Sequence, residues 1–328
     1  MRNIRYQSLR TINYIAGKAP GIELLRGVKT HALLLRVDAD ITITGAAGGT
    51  VNAEGLLRLI KRVKVIENGD TTWEVEGRAL GYMTGRGQRQ AANVTALANA
   101  NAQANTLLAA DLVIDFAHIW GADPSETCYV ERDSRFPTLV EIEWATSPQT
   151  ELISGTGLTL NSATVKTTQM YDPVSQVMPF FLPRLKLISS DAVTGTITKF
   201  PIFLYPEAGA RIDFALLHAL TDGVSSASVV NGDVTLRGDK FRYVDAVNRN
   251  TILNELRRFH NAPTVSLAYL EFPSRIYGKL SEMFITGQDD NFRAEIDATN
   301  PGTSTVFNAY LREGIPIPGY TRDLPEGW

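Results

Sequence analysis

The sequence predicts an all-β protein of two tandem β-sandwich domains, each with a short helical insertion, on three observations. Phrases recur in the same order about half a chain apart. Asn68-Gly69-Asp70 and Asn231-Gly232-Asp233 are 163 positions apart, Val113-Ile114-Asp115-Phe116 and Tyr269-Leu270-Glu271-Phe272 are 156 apart, and Glu141-Ile142-Glu143 and Glu295-Ile296-Asp297 are 154 apart. Short alternating runs bounded by Gly, Pro, Asn and Asp follow one another about every ten residues, the spacing of antiparallel sandwiches rather than of βαβ units. A proline-rich joint from Gln169 to Pro183, with Asp172-Pro173, Met178-Pro179 and Leu182-Pro183, separates the copies. A duplicated domain suits a surface that tiles better than it suits catalysis, which seldom needs a whole domain twice.

The first 25 residues read as a basic N-terminal arm. Arg2, Arg5, Arg10 and Lys18 are cationic with no acid between them, and Ile4, Leu9, Ile12 and Ile15 are apolar. Wound as a helix, residues 1–18 would be basic and modestly amphipathic, which makes the four cations candidates for contact with an anionic lipid surface. A short cap helix on the first domain is the alternative.

The first domain is expected over 26–170. Residues Gly27 to Thr44 end in the clean alternation of a strand with one wet face. Leu56 to Ile66 reads as a helical turn running into a strand, which the Asn68-Gly69 turn folds back on the alternating run Thr72 to Tyr82 through Trp73, Val75 and Leu80. Gln88 to Ala110, rich in Ala and Asn, reads as a helix or a long loop. Strands resume at Leu107 to Phe116, Thr127 to Glu131 and Thr138 to Trp144.

The second domain is placed over 171–313. Its strands are expected at Arg184 to Ser189, Thr194 to Tyr205, Ala210 to Leu220 and Val229 to Leu236, and its helix at Tyr243 to His260, where Val244, Val247, Ile252, Leu253, Leu256 and Phe259 recur at helical spacing. The tail 314–328, with Pro316, Pro318 and Pro325, is too interrupted for regular structure over its length and suits reaching over a neighbour or back along its own subunit.

Composition narrows the function classes. At 328 residues, 44% hydrophobic and 20% charged, the chain can bury two cores without a metal or disulfide staple. A net charge of -3 gives no global reason for nucleic-acid binding. One cysteine, Cys128, and four dispersed histidines (His31, His118, His218, His260) argue against a disulfide framework or a zinc site and suit a reducing cytosol. Neither a secretory signal nor a spanning apolar stretch is visible.

Few residues suggest chemistry. Glu141 with Glu143, and Glu74 with Glu76, share strand faces as acid/base pairs do, and as solvated strand faces do. Asp289-Asp290-Asn291 has the polarity of a calcium loop or of an ordinary Asx turn. Arg237-Gly238-Asp239 spells a tripeptide linked with integrin binding, and turn geometry explains it equally. Gly155-Thr156-Gly157 lacks the third glycine and the helix of a dinucleotide loop. Arg257, Arg258 and His260 suit a helix C-terminus or a neighbouring subunit. Trp73, Trp144 and Trp328 read as packing residues, and Trp120 as a residue of an exposed loop.

A β-sandwich domain repeated once, with a helix in each copy, resembles the double jelly-roll major capsid proteins of tailless, internal-membrane-containing icosahedral viruses of tectivirus and corticovirus type, bacteriophages among them. The similarity lies in Arg26-Gly27-Val28 leading into an alternating strand, in Leu59-Ile60-Lys61-Arg62-Val63-Lys64-Val65-Ile66-Glu67-Asn68-Gly69, in Val75-Glu76-Gly77-Arg78-Ala79-Leu80, and in Leu112-Val113-Ile114-Asp115-Phe116 followed by Leu139 to Trp144. It covers most of the chain in pattern and is sharpest over 26–82 and 107–144. The resemblance implies jelly-roll sandwiches and a structural protein rather than an enzyme, with no cofactor and no catalytic or metal residues. It implies pseudo-hexagonal homotrimers forming an icosahedral shell around an internal membrane, in virions assembled in the host cytoplasm. Two similar domains in each of three subunits let a threefold object fill a nearly sixfold site. The implied partners are further copies of the chain, penton or spike and minor capsid proteins, and the membrane through the N-terminal arm, with no sequence-specific nucleic acid. The alternatives are a glycan-active double jelly-roll amidase, whose usual signal peptide, extra cysteines and acidic cluster are not evident, and a carbohydrate-binding sandwich, which requires exposed aromatics on one sheet face.

Overall fold

The computed structural model describes residues 4–45, 49–52, 54–87, 92–95, 97–117, 128–129, 136–173, 181–207, 209–240, 242–252, 254, 268–273, 284–285 and 291–316. The chain divides into two compact units with the main break between Met178 and Pro179. In the first the strands are β1 (Arg5–Ser8), β2 (Ile12–Asn13), β3 (Gly21–Glu23), β4 (Lys29–Ile43), β5 (Ile60–Glu67), β6 (Asp70–Val75), β7 (Gln103–Asp115), β8 (Thr138–Trp144) and β9 (Leu158–Asp172), with helices α1 (Gly55–Arg58), α2 (Gly77–Gly87) and α3 (Pro148–Leu152). The second holds β10 (Phe181–Val193), β11 (Thr196–Phe203), β12 (Arg211–Thr221), β13 (Val224–Ser225), β14 (Val230–Arg237), β15 (Arg242–Asn248), β16 (Tyr269–Pro273), β17 (Phe284–Ile285), β18 (Arg293–Thr299) and β19 (Thr305–Pro316).

In the first unit β1 and β2 pair in turn with β9, giving one sheet in the order β1/β2-β9-β4-β7 and another in the order β3-β8-β5-β6. In the second unit the orders are β10-β19-β12-β16 and β11-β18-β14-β15. With β1 and β2 counted as one broken strand, and the minor strands β13 and β17 set aside, each unit has eight principal strands among the described residues. Numbered along the chain, they lie in the orders 1-8-3-6 and 2-7-4-5 in both units, the two-sheet arrangement of a jelly roll. The units are therefore counterparts strand for strand.

Strand alternation builds each core. Leu33, Leu35, Val37, Ala39 and Ile41 of β4 are buried, as are Val63 and Val65 of β5 and Val140 and Ile142 of β8. Each such Val, Leu or Ile side chain contributes about 1.5–3 kcal/mol of transfer free energy. Trp73 meets Phe116 edge to face at 5.1 Å, and Tyr14 meets Trp144 at 5.5 Å. Gln169 ties the interior to the chain entering it, donating to Thr30 Oγ1 at 2.7 Å and accepting from the Leu25 backbone N–H at 2.8 Å.

Several expectations change. Described residues 4–18 do not form a helix: β1 and β2 lie along β9, and the Leu9 and Tyr14 N–H groups donate to the Thr167 and Ala163 carbonyls. Of their large apolar residues only Ile12 is buried, so a helix here would have little to bury, whereas the edge of β9 satisfies the backbone directly. The segment 1–25 thus supplies strands to the first jelly roll instead of standing apart as an arm, and β19 carries the second one to Pro316. The run Thr72 to Tyr82 is a strand only to Val75. Ala79, Leu80, Met83 and Thr84 are buried at helical spacing in α2, with Thr84 bonded to the backbone of Val113 in β7. Within 88–110, residues 93–95 bond to 109–111 of β7, so the helical insertion of this copy is α2. Tyr243 to His260 is not a helix throughout: 242–248 is β15, with Val244 and Val247 paired to β14, and described residues 249–252 and 254 are helical. Both insertions therefore follow counterpart strands, β6 and β15.

The two Asn-Gly-Asp phrases part company. In the first, Asn68 (φ 51°) and Gly69 (φ 84°) form the two-residue turn joining Glu67 to Asp70. The second lies inside β14, where two extra residues bulge between the Val230–Ala298 and Val234–Ile296 pairs. The Asp297 carboxylate accepts from the Asp233 N–H there, and a Cβ on Gly232 would stand 2.6 Å from Asp297 Oδ2. Glycine in the second phrase makes room for a side chain; in the first it supplies a turn.

Candidate functional site

Arg2 lies outside the described residues. Arg5, Arg10 and Lys18 are exposed, and none forms an ion pair among the described residues. Tyr6 (61% exposed) and Ile15 (50%) accompany them. Arg5 lies on β1, and Arg10 and Lys18 lie outside the strands.

The carboxylate pairs sit opposite cations. Arg62 and Lys64 of β5 face Glu74 on β6 and Glu143 on β8, with Arg62 Nη1 2.8 Å from Glu74 Oε1 and both cations at 4.0 Å from Glu143 Oε2. Glu141 lies across from Lys64. This is an ionic ladder on the outer face of the sheet β3-β8-β5-β6, not an isolated pair of acids. Glu76 lies 3.6 Å from Arg78.

Arg237-Gly238-Asp239 is likewise absorbed. Arg237 Nη2 donates to Glu295 Oε1 at 2.7 Å, Arg293 Nε donates to the same oxygen at 2.9 Å, and Asp239 accepts from Asn291 and Arg293. Burial alone would push Glu295 upward, but the hydrogen bonds from Arg293 and Arg237 outweigh it and hold the carboxyl below its usual range. Asp289, Asp290, Arg257, Arg258, His260, His118, Trp120 and Trp328 lie outside the described residues. His31, His218, Trp73 and Trp144 are buried. Among the described residues, no group of three or more His, Cys, Asp or Glu is placed to hold a metal.

Two features carried no signal in the sequence. Phe203 and Tyr205 stack with ring centroids 5.8 Å apart, and the Arg293 guanidinium lies 5.9 Å over the Phe203 ring. Tyr205 is 70% exposed with φ 34°, a conformation uncommon for an aromatic residue. Glu313 is buried in β19 with Arg184 Nε 3.7 Å away, and burial pushes its carboxyl up to about 7 despite the cation. Pairing of β19 with β10 set Arg184 opposite it.

No protein-family model matches the sequence, and no curated protein does. Solved structures do match. The major capsid protein of Sulfolobus Turreted Icosahedral Virus superposes with a TM-score of 0.72 at 14% identity, covering 99% of each chain. The fold is the double jelly roll. A second structure of that virus gives a TM-score of 0.70 at 17% identity over 98% of this chain and 94% of the other. The major capsid protein of bacteriophage PM2 gives 0.62 at 12% identity over 96% and 99%.

Proposed function

We propose that this chain is a viral major capsid protein that works through subunit interfaces and not through an active site. The observation that carries the reading is the pairing of two complete jelly rolls in one chain with matches covering 99% and 96% of it to two viral major capsid proteins. The unit of assembly is a pseudo-hexagonal homotrimer, six jelly rolls from three copies, built into an icosahedral shell around an internal membrane. Penton or spike and minor capsid proteins are its further partners. The exposed Arg5, Arg10 and Lys18, together with Arg2, contact the anionic face of that membrane.

Mass measurement and negative-stain microscopy of the purified protein test the reading. A trimer with a hexagonal outline is expected; a monomer at micromolar concentration sinks it. For the lipid contact, Arg2, Arg5 and Arg10 are replaced together by Glu. Loss of co-sedimentation with anionic vesicles is expected, and unchanged binding refutes the contact.

A further inference from the structure

We infer that the outer face of β11 and the turn after it form a carbohydrate subsite, in which the exposed Tyr205 ring stacks on the C–H face of a neutral pyranose. The inference goes beyond the capsid reading and does not depend on it.

Alternation along this stretch exposes apolar side chains where polar ones are expected. Ile202 and Leu204 are buried, so Pro201, Phe203 and Tyr205 fall on the opposite, outward side. The residues that lie across from this row on the neighbouring strands are polar: Arg293 and Glu295 of β18, then Thr235 and Arg237 of β14. A solvent face ordinarily stays polar along its length. Here Tyr205 is 70% exposed and stacks on Phe203 with the ring planes 23° apart, which leaves most of the tyrosine ring in water.

The ring is also held in place against strain. At Tyr205 φ is 34°, a conformation that a large L-residue adopts only when its surroundings impose it, and such positions gather at functional sites. The residues on either side impose it. The Leu204 N–H donates to the Phe292 carbonyl at 3.0 Å, the Glu207 N–H donates to Glu313 at 3.1 Å, and the Glu207 carboxylate pairs with Arg184. Phe203 is supported in turn by the Arg293 guanidinium, which Glu295 and Asp239 hold. A platform ordered before its ligand arrives loses less freedom on binding.

Size and charge select the occupant. An aromatic side chain offers about 150–250 Å², so the pair falls well short of the about 800 Å² that each partner of a stable protein interface buries. One pyranose matches one aromatic ring in width, and its C–H bonds meet the electron-rich ring face. The charges beside the pair cancel, with Arg237 and Arg293 opposed by Glu295 and Asp239. That balance suits a neutral sugar better than a sulfated or sialylated one. The half-exposed carboxylates of Glu207 and Asp239 supply acceptors for sugar hydroxyls. Jelly rolls serve as lectin domains as well as capsid domains, so the fold accommodates such a subsite.

Saturation-transfer NMR of the full chain with methyl β-glucopyranoside, methyl β-galactopyranoside and methyl α-mannopyranoside tests the subsite. Binding of at least one is expected, with transfer strongest to the ring C–H protons. Tyr205→Asn removes the ring while tolerating the left-handed backbone, and should weaken that binding at least about tenfold. Tyr205→Trp should retain it, and Phe136→Ala, at another exposed aromatic, should leave it unchanged. No transfer from the wild type to any of the three sugars, or equal transfer with Tyr205→Asn, overturns the inference. A Tyr205→Asn variant that loses oligomer mass while the wild type ignores all three sugars makes the ring a contact between copies, which also overturns it. The mass and outline of the wild type, measured alongside, decide the capsid reading separately. A monomer that binds sugar through Tyr205 removes that reading and leaves this one, and a hexagonal trimer that binds none does the reverse.

Discussion

Replacing Glu313 by Gln is expected to stabilise the protein increasingly as pH rises. Glu313 is 3% exposed, lies opposite Arg184 of β10 and Ile212 of β12, and accepts from the Glu207 backbone N–H at 3.1 Å. Arg184 is shared, since its guanidinium also pairs closely with Glu207. Burial is the dominant influence and the Arg184 charge offsets it only in part, so the carboxyl moves from 4.5 to about 7. Between those two values the native state keeps a proton that the unfolded chain has released. Stability is therefore fully present below the unfolded value, declines as pH rises, and levels off above the folded value. At about 1.4 kcal/mol per pKa unit the wild type loses about 3 kcal/mol over this window. Gln cannot ionise, so the gap between E313Q and wild type should widen by about that amount between pH 4.5 and pH 8, or roughly 6–12 °C in melting temperature for a unit of this size. Thermal melts of both proteins across the range give the difference, in which titrations common to both cancel. A gap independent of pH, or one that narrows as pH rises, refutes the reasoning.

Three further outcomes are expected. Glu295→Gln should destabilise the protein at neutral pH, and the deficit should shrink as pH falls through the acid range, because the Glu295 carboxyl is held below its usual value and its contribution is lost only as it protonates; urea titrations at neutral and acid pH decide it, and a constant deficit counts against it. Gly69→Ala, which forces φ 84° on a residue with a Cβ, should cost about 1–2 kcal/mol in urea unfolding, and a neutral effect would contradict the turn geometry. Cys128, buried and with its thiol pushed up to about 12 by burial despite Lys29, should react with a thiol reagent only after unfolding; rapid labelling of the native protein contradicts this.

The first Asn-Gly-Asp was legible because two successive left-handed residues are a local demand that Asn-Gly meets by itself. The role of the second was not legible because it depends on the Asp297 side chain, 64 positions away from Asp233. The counterpart strands β5 and β14 begin 170 positions apart, so the matching tripeptides sit at different places in the two copies. The later pairs held: Val113 to Phe116 runs along β7 and its end while Tyr269 to Phe272 lies in β16, and Glu141 to Glu143 lies in β8 while Glu295 to Asp297 lies in β18. These are sixth and seventh strands of each jelly roll. Described residues 4–18 depart from the helical expectation for a related reason. Basic residues with scattered apolar ones fit a helix on paper, but the open edge of β9 is a property of the fold.

The candidate surfaces divide the same way. The cations at Arg5, Arg10 and Lys18 are visible in the sequence because charge without compensating charge is a local fact. The acids of Glu74 and Glu143 acquire their ionic partners only through the register of β5 against its two neighbours, and Arg237 acquires Glu295 through the pairing of β14 with β18.

By itself the sequence determined the all-β class, the duplication, and which residues alternate inward along β4, β7 and β8, because the two-residue period and turn chemistry act over a few residues. Tertiary structure alone decided that residues 5–8 and 12–13 are strand, that Gly77–Gly87 is helix, and that Glu313 is buried beside Arg184. Each of those outcomes depends on which backbone or side chain a distant segment presents, and pairing between segments far apart in the chain leaves no periodicity to read.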